Sequence, residues 1–191
     1  MEDQLMTKKW LFFWGVLMLT PLITSAQVAP AQSGAGSKFS LALGAGFSGF
    51  NTDYAPDRMY GIAAYYDLDY GRWIGLEVEG RTIQWNQIYN LREDTIAAGG
   101  RFRLGRYGHG RFIPYAKFLG GIGSIDFPPF VGFPHYTHDT FAFYDAGGGL
   151  DYKLTQHVYL RGDYEYEWWP GWPRHGLSPN GFTIGANYRF F

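Results

Sequence analysis

Residues 158–168 read Val158-Tyr159-Leu160-Arg161-Gly162-Asp163-Tyr164-Glu165-Tyr166-Glu167-Trp168, and their alternation decides the fold. A β-strand turns successive side chains to opposite faces. One face of this stretch therefore carries Val158, Leu160, Gly162, Tyr164, Tyr166 and Trp168, and the other carries Tyr159, Arg161, Asp163, Glu165 and Glu167. A soluble sheet alternates as well, so alternation alone does not say which face meets water. The distinguishing feature is repetition. The same division recurs along the chain behind an export signal, with aromatic residues at the ends of the apolar face, and that pattern is the signature of a transmembrane β-barrel.

The other alternating segments are 38–50, 59–68, 73–85, 94–104, 112–123, 141–154 and 181–190, making eight with 158–168. In 73–85, Ile74, Leu76 and Val78 oppose Glu77, Glu79 and Arg81. In 94–104, Ile96, Ala98, Phe102 and Leu104 oppose Thr95, Arg101 and Arg103. Lys117 stands opposite Phe112, Pro114, Ala116, Phe118 and Ile122, and Asp145 and Asp151 stand opposite Tyr144, Ala146, Leu150 and Tyr152. In 181–190, Phe182, Ile184, Ala186, Tyr188 and Phe190 oppose Thr183, Asn187 and Arg189.

Charge sets the direction of the two faces. Arg81, Arg101, Arg103, Lys117, Arg161 and Arg189, with Glu77, Glu79, Asp145, Asp163, Glu165 and Glu167, all share the parity opposite the apolar set. On a lipid-facing wall each midplane Arg or Lys would cost roughly 2–4 kcal/mol. Several together would consume a typical domain stability of about 5–15 kcal/mol. The apolar parity is therefore expected to face lipid and the charged parity to face the lumen. An eight-stranded barrel is just wide enough for side chains to fill, so these charges are expected to form a cross-strand ion-pair network that plugs it.

Composition agrees with this reading. The chain has 191 residues, enough for one domain. No cysteine occurs, which excludes disulfide staples and thiolate chemistry. A formal net charge of −1 gives no reason to expect a nucleic-acid partner. The 27 glycines let strands bend and rings lie against bare backbone, and 20% aromatic content supplies the two interfacial girdles.

Lys8 and Lys9 precede an apolar run over 10–23 and the small residues Thr24-Ser25-Ala26. This is the pattern of a cleavable signal, and the run is too short for a spanning helix of about 20 residues. The expected organisation is a signal peptide over 1–26, a flexible leader over 27–37 and a barrel domain over 38–191. Connectors at 69–72, 105–111 and 155–157 read as turns, and those at 51–58, 86–93, 124–140 and 169–180 as loops. Short turns lie in the periplasm and longer loops outside in such barrels, so both termini are expected to be periplasmic.

Three stretches carry a resemblance. Phe112-Ile-Pro-Tyr-Ala-Lys-Phe-Leu-Gly-Gly-Ile-Gly looks like a Pro-Tyr strand ending in glycines. Ala146-Gly-Gly-Gly-Leu-Asp-Tyr-Lys-Leu, followed by Val158-Tyr-Leu-Arg-Gly-Asp-Tyr-Glu-Tyr, looks like a hairpin before the last loop, and Gly181-Phe-Thr-Ile-Gly-Ala-Asn-Tyr-Arg-Phe looks like a closing strand. On these the chain resembles the small eight-stranded outer-membrane β-barrel family, the outer-membrane protein A type among them. The resemblance implies a bacterial outer-membrane location, contact with outer-membrane lipid and lipopolysaccharide, and delivery by the outer-membrane assembly machinery. Phe182, Ile184, Ala186, Tyr188 and Phe190 look like the signal which that machinery reads, with Phe191 one residue beyond. Function is implied only loosely, because fold does not carry chemistry.

Candidate chemistry is sparse. His135, His138 and Asp139 have metal-ligand side chains, but they lie in a Pro-rich connector, and solvated loop residues are the favoured reading. His175 and Ser178 invite comparison with a lipid hydrolase, yet no orienting acid or oxyanion donors accompany them. No cofactor motif occurs. Phe127, Phe130, Phe133 and Tyr136, with Trp169 and Trp172, are candidates for a contact surface toward a glycan, lipopolysaccharide or protein; the competing reading is an outer girdle and a cap packed on the barrel mouth. The expected function is structural or interactive, by a monomer, since a closed barrel has no free edge. The alternatives are a lipid-modifying enzyme, a narrow passive pore and a soluble periplasmic ligand carrier. The carrier would need an apolar lumen and a polar exterior.

Overall fold

The computed structural model describes residues 39–55, 57–85, 91–126, 138–172 and 176–190. They form eight strands: β1 (Phe39–Asn51), β2 (Met59–Tyr70), β3 (Ile74–Trp85), β4 (Leu91–Arg103), β5 (Phe112–Asp126), β6 (His138–Lys153), β7 (Val158–Trp168) and β8 (Asn180–Arg189). Each pairs antiparallel with the next, and β8 pairs antiparallel with β1 to close the sheet. No edge is left unpaired. The expected signal peptide and leader lie outside the described residues.

The exterior is apolar, as the alternation requires. Ile62 and Ile184 are each 63% exposed, whereas Glu77, Arg101 and Glu165, one strand position out of phase with the apolar set, are 0% exposed. Rings collect toward the two ends: Phe39, Tyr70, Trp73, Tyr107, Phe112 and Phe190 around the end where β1 begins and β8 ends, the termini of the described barrel, and Tyr60, Tyr144, Tyr164, Tyr166 and Trp168 around the other. Many are paired across strands, such as Phe39 with Tyr70 at 5.0 Å and Tyr144 with Trp168 at 5.9 Å.

Several strands run further than the alternation suggests. β4 begins at Leu91 rather than 94, because Arg92 and Asp94 turn outward and pair with each other at 2.8 Å while Glu93 points in. The run of three charges hides an unbroken alternation. β2 continues to Tyr70, paired with both Phe39 and Ile74, and β5 and β6 extend to the Asp126–His138 pair. The second loop therefore shrinks to 86–90 and is shorter than the turn at 104–111, so connector length alone does not sort the two ends.

The lumen has two tiers. Buried Phe50, Met59, Ile83, Leu91, Leu119, Ile125, Phe143, Trp169 and Leu177 form an apolar cluster toward the end remote from the termini. Charged side chains, with Tyr65, Tyr115 and Tyr159 among them, fill most of the rest. Close packing rests on missing side chains at two points. A Cβ at Gly44 would overlap the ring of Tyr65, and one at Gly123 would overlap the indole of Trp169. The inner face of β1 is small throughout its first half (Ser40, Ala42, Gly44, Gly46), and Tyr65 lies across it.

Candidate functional site: a charged lumen beneath an aromatic cap

The lumenal charges assemble in three linked groups. Nearest the termini, Asp69 is held by Arg103 at 3.1 Å and Arg189 at 3.4 Å. Above it, Arg101 reaches Asp67 at 2.9 Å and Asp151 at 2.5 Å. Arg161 contacts Asp151 at 3.1 Å and Glu77 at 3.3 Å, and also pairs with Asp67. Higher still, Lys117 Nζ stands 2.9 Å from Glu77, 2.7 Å from Glu79 and 3.7 Å from Asp163, and pairs with Glu165. Arg81 bridges Glu165 at 2.7 Å to Glu167. Every strand except β1 contributes a charge.

Arginine planes are also stacked on lumenal rings. The guanidinium of Arg101 lies 3.9 Å from the Tyr115 ring centroid, that of Arg161 lies 4.1 Å from Tyr65, and that of Arg81 lies 3.7 Å from Phe50. Such contacts strengthen when desolvated. Tyr115 donates to Asp163 at 2.7 Å, so its ring and its hydroxyl serve the same network.

The six bases and six acids named as the lumenal ion-pair set are all buried, while Lys153, on the same parity, is half-buried. Asp145 differs from the rest of that set in making no ion pair among the described residues: it lies on the inner wall directly opposite Glu167 in the register, and its Oδ1 has no donor. Parity assigns a face but cannot guarantee a partner. Sequence reasoning missed three lumenal acids, Asp67, Asp69 and Glu93, and left Asp151 out of the ion-pair set although it placed that residue on the charged face. Asp67 and Asp69 alternate with Tyr66, Leu68 and Tyr70, and Asp151 shares the parity of Asp145, so the signal was present. Glu93 was hidden by the misplaced start of β4. With these included, the buried ionisable set is acidic: Asp67, Asp69, Glu77, Glu79, Glu93, Asp145, Asp151, Asp163, Glu165 and Glu167 face six bases, Arg81, Arg101, Arg103, Lys117, Arg161 and Arg189.

The aromatic contact surface needs one correction. Trp169 is 0% exposed. It continues the inward parity of Glu165 and Glu167, stacks on Phe143 at 5.0 Å, and its Nε1 donates to Glu167 at 2.7 Å. Its partner bridge to Leu177 draws the last loop over the mouth. Trp172 is half-buried against Tyr54 at 6.0 Å and Phe141 at 5.1 Å. Tyr54 also donates to Glu93 from above. Its phenol is pushed above the usual value by burial and then by the Glu93 carboxylate. Phe127, Phe130, Phe133 and Tyr136 lie outside the described residues.

Of the candidate metal set, Asp139 falls in β6 and accepts from the Thr140 amide at 2.9 Å. His135 and the side chain of His138 lie outside the described residues, and no group of three or more metal-ligating side chains occurs among the described ones. His175 is likewise outside them, and Ser178 uses its backbone amide to bond Asp53 at 3.0 Å. On the outer wall, Phe182, Ile184, Ala186, Tyr188 and Phe190 face away from the lumen, and Phe191 is not among the described residues.

The family model described as outer membrane protein beta-barrel domain matches residues 18–190. The chain belongs to this family. Solved structures with the same outer-membrane barrel include Neisserial surface protein A, with a TM-score of 0.62, 12% identity, and coverage of 82% of this chain and 100% of that one. Ail, the attachment invasion locus protein of Yersinia pestis, matches with a TM-score of 0.54 at 17% identity over 80% of this chain and 97% of its own. OprG from Pseudomonas aeruginosa matches with a TM-score of 0.52 at 12% identity over 79% and 95%. At such identities the likeness is one of fold. No curated protein matches the sequence. The protein is thus an eight-stranded outer-membrane β-barrel with membrane-crossing strands.

Proposed function

We propose that this barrel is a non-conducting anchor in the bacterial outer membrane, with both termini in the periplasm, and that it acts through its external loops. Its role is structural or one of surface contact, and it is not enzymatic. The observation that carries this reading is the burial of Asp69, Arg101, Glu165 and Trp169, which come from successive heights in the lumen and are 0–1% exposed. A water-filled channel would leave such groups wet. Interlocked ion pairs in place of water also hold strand register.

Planar-bilayer recording tests the plug. No discrete conductance steps are expected from the purified protein, and regular single-channel steps would overturn the reading. The absence of cysteine makes orientation testable by single substitutions. In intact cells an impermeant maleimide is expected to label Asp57→Cys, and to label Thr155→Cys only after the envelope is opened. The reverse pattern would invert the assignment.

The partners in this reading are outer-membrane lipid, lipopolysaccharide and, during biogenesis, the assembly machinery reading Phe182, Ile184, Ala186, Tyr188, Phe190 and Phe191. Phe127, Phe130, Phe133, Tyr136 and Trp172 are the contact candidates in the loops. A closed sheet with no free edge supports a monomer, which sedimentation in detergent tests.

A further inference from the structure

Among the described residues, the end of the barrel where β1 begins and β8 ends exposes charge of one sign. Connectors 71–73, 104–111 and 154–157 meet there. Arg72, Arg106 and Arg111 are exposed and Lys153 is half-buried, and none has a carboxylate partner among the described residues. The acids at this end, Asp69 and Asp151, are turned into the lumen and held by arginines. The opposite end is mixed: Asp53 and Asp57 stand near Arg58 in the chain, and Arg92 is engaged by Asp94.

Each unpaired cation adjoins a ring in the sequence: Arg72-Trp73, Arg106-Tyr107, Arg111-Phe112 and Tyr152-Lys153. Trp73, Tyr107 and Phe112 are exposed on the outer wall, and Tyr152 packs on Phe112 at 5.0 Å. The Arg72 guanidinium lies 5.7 Å from the Trp73 ring centroid. Girdle rings sit at the boundary between hydrocarbon and headgroups. Arg72, whose guanidinium lies beside Trp73, and the exposed Arg106 and Arg111 of the next connector therefore stand near the depth of lipid phosphates, whereas Lys153 keeps the inward parity of Asp151 and sits at the mouth of the lumen.

We propose that this rim is a binding collar for anionic phospholipid headgroups. Guanidinium groups match phosphate oxygens bidentately, and among the described residues no exposed carboxylate stands by the collar to compete. In the orientation proposed above it meets the periplasmic leaflet. The binding itself does not depend on that assignment, because a symmetric bilayer offers the same lipid to both ends.

The test uses the full chain in nanodiscs of phosphatidylcholine with a minority of phosphatidylglycerol, with native mass spectrometry of the lipid that stays bound after extraction. A basic side chain near an anionic surface contributes about fivefold in affinity, so enrichment of phosphatidylglycerol by at least about tenfold is expected at low salt, fading as salt rises. Arg72→Gln/Arg106→Gln/Arg111→Gln should bring the enrichment close to unity, while Arg58→Gln/Arg92→Gln at the other end leaves it intact. Should the triple variant not fold, Arg72→Gln and Arg106→Gln singly are each expected to lower it severalfold. No enrichment in the unmodified protein, or enrichment that survives loss of the three arginines, would overturn the proposal. Binding of inorganic phosphate with no lipid preference would do so too.

Discussion

Trp169 Nε1 donates to Glu167 Oε2 at 2.7 Å, and this bond joins the aromatic cap to the ion-pair network. Glu167 is held on its other side by Arg81, whose guanidinium lies on Phe50. Cap and charged tier are therefore one packed unit, and a change in either should be felt in both.

Trp169→Phe keeps most of the stacking on Phe143 but removes a donor from a buried carboxylate. Leaving such a group short of a partner costs about 1–3 kcal/mol. The variant is expected to melt at lower temperature in detergent while retaining heat-modified gel mobility. An unchanged melting curve would show that the bond contributes nothing.

Lys117 is the cation shared by Glu77, Glu79 and Glu165. Lys117→Met leaves buried carboxylates uncompensated, an effect of about 3–5 kcal/mol. Arg161→Ala should act in the same direction, loosening the barrel without preventing insertion. Adding Glu165→Gln to Lys117→Met is expected to recover part of the loss, and a double variant weaker than the single would contradict the pairing.

Asp145 has the opposite prospect. It has no donor on Oδ1 and faces Glu167 directly across the β6–β7 pair, where like charges are destabilising. Asp145→Asn is expected to leave the melting temperature unchanged or raise it. A clear drop would mean that the carboxylate has a stabilising role.

Tyr54 gives a pH prediction. Its phenol is shifted upward by burial and by Glu93, so the neutral form is the one the fold favours. The contribution is complete below the unfolded value of about 10 and is lost only as pH rises past it. Alkaline titration followed by ultraviolet absorbance should give the same phenolate amplitude near pH 10 for the unmodified protein and for Tyr54→Phe. A smaller amplitude in the variant would show Tyr54 ionising freely.

The period-two pattern made the barrel legible, because side-chain alternation is a property of the extended backbone itself. Strand ends were less legible. At Arg92-Glu93-Asp94 three charges in a row look like a loop, and only the outward pairing of Arg92 with Asp94 shows that Glu93 belongs to the lumen.

Sequence by itself determined the strands, the two faces and the lipid-facing wall, all consequences of local backbone geometry and of the cost of charge in hydrocarbon. Tertiary structure alone decided who meets whom. Arg161 finds Asp67, which is 94 positions away, because a closed, staggered sheet brings distant strands to the same height. Trp169 turned out to be buried under the mouth and not a contact surface: Glu167, two residues away on the same parity, is a local neighbour, but its stacking partner Phe143 comes from the adjoining strand, a meeting that no single stretch of chain encodes.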